Sequence, residues 1–124
     1  MASTSILTSI KSLLGIQEED INFDSDIILH INTVFFVLKQ IGVNPDLPFE
    51  IEDKLQNWDE YIKDNMDLNS IKSYIYLKVK LLFDPPLSNA NIDVIKAQIV
   101  ELEWRIMVTV DPKPIVEEVI YYGE

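Results

Sequence analysis

The sequence predicts an all-α fold, a small bundle of four to five helices. Three observations lead there. Apolar residues recur at three-four spacing in several segments, Gly15 and Gly42 stand where such stripes stop, and the longest apolar run has no second run of strand type to pair with. The same pattern predicts an extended loop or short β-hairpin arm between the second and third long helical segments.

The first helix is expected over Ser5 to Leu14. Thr4 or Ser5 can cap it, Ile6, Ile10, Leu13 and Leu14 share a face, and Gly15 can end it in a left-handed turn. After the acidic linker QEEDINFD a second helix starts at Asp24, whose carboxylate can accept the orphan amide hydrogens of the first turn. Its stripe is Ile27, Ile31, Val34, Phe35, Leu38 and Ile41. Leu29 and Phe36 fall on the opposite, otherwise polar face.

Residues 42–56, GVNPDLPFEIEDKLQ, hold two prolines and no helical stripe. Phe49 and Ile51 alternate there with Glu50 and Glu52, as in a short strand or loop arm. NWDEYI can add a helical turn carrying Trp58 and Tyr61.

In SYIYLKVKLLFDPP, alternation over Leu77 to Leu81 favours a strand, whereas length favours a helix: the apolar segment runs from Leu68 to Phe83, with Asp67 or Asn69 as cap. A helix apolar around most of its circumference belongs at the centre of a bundle. Lys78 and Lys80 can bury their stems and extend their ammonium groups to water, and Asp84-Pro85-Pro86 ends the helix. The last long helix is expected over Asn91 to Val108. Ile92, Ile95, Ile99, Leu102 and Ile106 form one stripe and Ala97, Val100, Trp104 and Val108 a second, while Glu101 and Arg105 can pair on the surface. Beyond Pro112, KPIVEEVIYYGE is an apolar tail that must dock on something, its own domain or another chain.

With 124 residues, one domain is the natural reading. The formal net charge is −11; residues 1–67 hold 13 acids against 4 bases, and residues 68–124 hold 8 against 6. Such a surface repels nucleic acid, whose phosphates require clustered Lys or Arg. The absence of cysteine excludes disulfides, thiol catalysis and thiolate metal sites. No window reaches the ~18 uninterrupted apolar residues of a membrane span, and no leader is legible, so a soluble, cytoplasmic chain is expected. His30 is the single histidine and reads as a partly buried polar residue with a satisfied hydrogen bond. Three glycines cannot build a phosphate-cradling loop, and no serine has a general base. No enzyme, cofactor or metal site is expected.

What remains is surplus apolar surface. A bundle can bury both faces of these helices internally, or the outward faces can meet other subunits. ILTSIKSLLGI, HINTVFFVLKQIGV, IKSYIYLKVKLLFDPP and IKAQIVELEWRIMVTVDP, in this order, resemble the head–tail connector (adaptor) proteins of tailed bacteriophages. The resemblance implies a structural virion protein, a helical connector domain over residues 1–112 with its loop arm at 42–56, and a docking tail at 113–124. It further implies a ring, dodecameric in the particle, that joins the capsid portal to the tail and extends the DNA channel. The partners are then other copies of itself, the portal protein and a tail or stopper protein. DNA passes without specific binding, no membrane is involved, and the place is the virion neck, reached from the host cytoplasm during assembly. Candidate subunit or portal contacts are Leu29, Phe36, Phe49, Trp58, Val100, Trp104, Tyr121 and Tyr122. Candidate channel-facing acids are Glu50, Glu52 and Asp53. An acidic helical DNA mimic that inhibits a DNA-binding protein is the alternative; the acids concentrate in linkers and loop, which disfavours a regular phosphate-like array.

Overall fold

A computed structural model describes residues 4–62 and 67–110. Among these the chain forms five helices and no strand: α1 (Ile6–Leu14), α2 (Asp24–Gln40), α3 (Trp58–Tyr61), α4 (Leu68–Phe83) and α5 (Asn89–Val110). The expected tail, residues 113–124 with Tyr121 and Tyr122, lies outside the described residues.

α1 begins where Ser5 accepts a hydrogen bond from the Thr8 amide at 3.1 Å. It ends at Gly15, whose φ of +85° is cheap only for glycine; the Gly15 and Ile16 amides close on the carbonyls of Ser12 and Lys11. Ile6, Leu7 and Ile10 are buried, and so is Lys11.

Asp24 opens α2 as expected but does not cap it. The capping position is Phe23, with no side-chain bond, because the Asp24 carboxylate is committed to Lys11, 2.8 Å from its Nζ. Lys11 Nζ also donates to the Glu18 carbonyl at 3.1 Å. One buried ammonium thus ties α1, the acidic linker and the start of α2 together. Ile27, Ile31, Val34, Phe35 and Leu38 point into the core, and Gly42, at φ +108°, turns the chain away. Val110, at the far end of α5, lies over this turn: a Cβ on Gly42 would meet its Cγ2 at 3.0 Å.

Residues 42–57 form neither a strand nor a free-standing hairpin. A hairpin would satisfy its backbone groups across two strands, and here side chains do so instead. Asn32 on α2 accepts from the Ile51 amide at 2.9 Å and donates to the Ile51 carbonyl at 3.0 Å. Gln56 Oε1 accepts from the Glu52 and Asp53 amides at 2.8 and 3.0 Å, and Asn44 donates to the Tyr61 carbonyl. The alternation still shows: Ile51 is buried and Phe49 half-buried, while Glu50 and Glu52 are exposed. The segment ends in one antiparallel bridge between Ser5 and Asn57, made by Ile6 N–H to Gln56 O at 3.0 Å and Trp58 N–H to Thr4 O at 3.1 Å.

α4 is the helix that length favours over alternation. Asp67 caps it, accepting from the Ser70 amide and hydroxyl at 3.2 and 2.7 Å. It lies between α2 and α5 and also packs on α1. Ile71, Tyr74, Ile75 and Val79 are fully enclosed, and each aliphatic side chain so buried contributes about 1.5–3 kcal/mol. Lys80 Nζ reaches Asp84 at 3.2 Å, and Lys78 lies over the Tyr74 ring. α5 begins two residues earlier than its apolar stripe suggests, because Ser88 supplies the cap through its hydroxyl and carbonyl. Ile99 and Ile106 bury the inner stripe, and Tyr74 donates to Glu103 across the α4–α5 contact at 3.0 Å.

Candidate assembly surface

The outer faces of α2 and α5 carry large apolar side chains that stand exposed among the described residues. On α2, Leu29 and Phe36 are 63% and 60% exposed. Seven residues apart, they share one face at 100° per residue, turned away from the Ile31 and Leu38 stripe. On α5, Val100 and Trp104 are 65% and 60% exposed, and Met107, which the sequence reading passed over, continues the patch at 47%. Ala97 is exposed beside them and Val108 half-buried. α2 and α5 both pack their core faces on α4, and the two patches lie on the outward faces of these two different helices.

Two expected contact residues belong elsewhere. Trp58 is only 1% exposed, held by the Ser5–Asn57 bridge above it and by its indole N–H donating to Ser9 Oγ at 3.1 Å. It is a core residue and unavailable to a partner. Phe49 is half-buried in an aromatic cluster, its ring centroid 5.4 Å from Phe35 and 5.1 Å from Tyr61. One edge of it borders a cleft of about 150 Å³ beside the C-terminal half of α2. Phe36, Lys39, Leu47 and Tyr61 also line that cleft.

Glu50, Glu52 and Asp53 are all exposed. They do not form one uniform acidic face. Glu50 borders the aromatic cleft, whereas Glu52 and Asp53 border a second depression shared with Lys54, Glu18 and the Lys11–Asp24 pair. Lys54 lies 4.0 Å from Glu18, so a cation stands among these carboxylates.

His30 is partly buried, as expected, but its ring makes no hydrogen bond among the described residues. Burial pushes the Tyr61 hydroxyl well above the usual phenol range. Burial and then the Glu103 carboxylate do the same to Tyr74. The Ser70 hydroxyl holds Asp67 below the usual carboxylate range. Among the described residues no group of three or more His, Cys, Asp or Glu is arranged to hold a metal ion. No described helix is long and apolar enough to cross a membrane.

Sequence reasoning missed Asn32 and Lys11. Asn32 sits on the outward face of α2, where an amide reads as ordinary surface. Lys11 did leave a signal: it stands between Leu7 and Leu14 at helical spacing, on a stripe otherwise given to the core.

The family model described as phage connector protein matches residues 6–113. No curated protein and no solved structure matches the chain. The matched region takes in all five helices and both outward apolar patches. A family of structural virion components agrees with a surface that offers apolar contact area. The chain therefore belongs to the phage connector protein family.

Proposed function

We propose that this chain is the subunit of a ring that joins the capsid portal to the phage tail and continues the DNA channel between them. The observation that carries the proposal is the pair of outward apolar patches, Leu29 with Phe36 on α2 and Val100 with Trp104 and Met107 on α5. Two different patches, on two different helices of one subunit, suit head-to-tail contact, in which each copy offers one patch to each neighbour and rotation closes the ring. A dodecamer is the copy number the family implies, with the portal on one side and a tail or stopper protein on the other. Assembly takes place in the host cytoplasm, and the product occupies the virion neck.

The net charge of −11 suits a conduit. Phosphates are held by clustered cations, and an acidic wall lets DNA pass without adhering. Screening limits this effect to about 8 Å at physiological salt, so the carboxylates of Glu50, Glu52 and Asp53 act only if the loop at 42–57 faces the bore. The DNA-mimic reading is weaker. Glu50 and Glu52 lie on different clefts, with Lys54 among the neighbouring acids, rather than on one regular face.

Sedimentation of the purified chain, alone and with its cognate portal, tests the proposal. The expected result is a ring-sized species, formed alone at high concentration or templated by the portal. Absence of any complex with the portal, together with tight binding to a DNA-handling enzyme, would overturn it.

A further inference from the structure

We propose that the cleft beside the C-terminal half of α2 is the seat of the chain's own tail, residues 111–124, in the free subunit. The inference rests on the assembly reading above and deepens it, because Phe36 belongs both to the cleft wall and to the α2 patch. A tail in the cleft shields that patch until a partner displaces it.

Four observations converge. The first is position. Val110, the last residue of α5, stands against Gly42, and Val43, the next residue along, lines the cleft, so the tail leaves α5 beside its entrance. The second is chemistry. The cleft is walled by Phe35, Phe36, Phe49 and Tyr61, and residues 115–122 supply Ile115, Val116, Val119, Ile120, Tyr121 and Tyr122. Aromatic rings meeting edge-on or offset gain about 0.5–1.5 kcal/mol beyond the area they bury. The third is a buried polar group. Tyr61 is only 2% exposed, yet its hydroxyl has no hydrogen-bond partner among the described residues. Buried hydroxyls rarely stay so, and a backbone carbonyl or carboxylate of the tail is a suitable acceptor. The fourth is charge. Lys39 and Glu50 stand on the cleft rim, and the tail carries Lys113 four and five residues before Glu117 and Glu118.

The chain has no cysteine, so paired engineered cysteines report proximity without background. Leu47 borders the cleft and is exposed; Val94 is exposed on α5 away from it. Both are within reach of Tyr121. Residues 111–121 span up to about 36 Å when extended, and Val94 is about 24 Å back along α5 from Val110. In dilute full-length protein, Leu47→Cys/Tyr121→Cys should form an intramolecular disulfide at least tenfold faster than Val94→Cys/Tyr121→Cys. Adding Tyr61→Phe should slow the first pair several-fold, because the ring remains and only the hydroxyl is lost. Equal rates for the two pairs would overturn the proposal. So would a Leu47–Tyr121 disulfide found only between two chains, which assigns the cleft to a second copy. Neither result alters binding to the portal, so the ring reading stands or falls separately.

Discussion

Replacing Lys11 by methionine tests the buried ion pair and, through it, the tie between α1 and α2. The side chain of Lys11 is 3% exposed and that of Asp24 26%. Lys11 Nζ is the sole partner of Asp24 Oδ1 among the described residues, since no donor hydrogen-bonds that oxygen apart from the ion-pair contact at 2.8 Å. Methionine fills similar space but leaves a largely enclosed carboxylate without a counter-charge and the Glu18 carbonyl without a donor. Breaking a fully buried pair from one side costs about 3–5 kcal/mol. Because a quarter of Asp24 still meets water, the expected loss is about 2–3 kcal/mol. For a domain of this size that lowers Tm by about 10 °C. Lys11→Met/Asp24→Asn removes both charges and should recover about half of the loss. Thermal and urea unfolding followed by far-UV circular dichroism measures both variants. A Lys11→Met protein as stable as the wild type, or a double variant at least as unstable as the single one, would refute the reasoning.

Three further outcomes are expected. Asn32→Ala frees the Ile51 amide and carbonyl at once and should cost about 2–3 kcal/mol. Hydrogen exchange should quicken across residues 49–53 while the α4 amides keep their relative protection. Phe36→Glu and Trp104→Glu replace exposed side chains and should shift stability by no more than about 0.5 kcal/mol. Each should nevertheless abolish sedimentation with the portal, and retained binding would remove its patch from the assembly surface. Gly42→Ala sets a Cβ 3.0 Å from Val110 Cγ2 at a φ of +108°. Urea titration should show a loss of about 1–3 kcal/mol, the usual range for strain of this kind.

The helices were legible because their signals are local. Ser5 and Gly15 bracket α1, Asp67 caps α4, and the inner stripe of α5 repeats at three-four spacing within a single element. The same periodicity set Leu29, Phe36, Val100 and Trp104 on second faces of their helices, but it left open whether the bundle buried those faces, and they stand exposed. What escaped was decided by partners distant in the chain. Trp58 is a core residue because Thr4 and Ser5 pair with residues 56–58, and no window around Trp58 contains that strand partner. Asp24 looked like a cap until Lys11, thirteen residues earlier, claimed its carboxylate. The 42–57 segment alternates as a strand does, yet the side chains of Asn32 and Gln56 meet the backbone groups that a second strand would have met.

The central place of α4 has a consequence for biosynthesis. α1, α2 and α5 all lean on this one rod, and it follows the first 67 residues out of the ribosome. Until Leu68–Phe83 has emerged, α1 and α2 have only each other and the 42–57 segment to close against, and the helix both pack on is missing. The core is therefore completed only late in synthesis, so an amber codon before residue 68 should yield fragments cleared by proteases rather than a smaller working part.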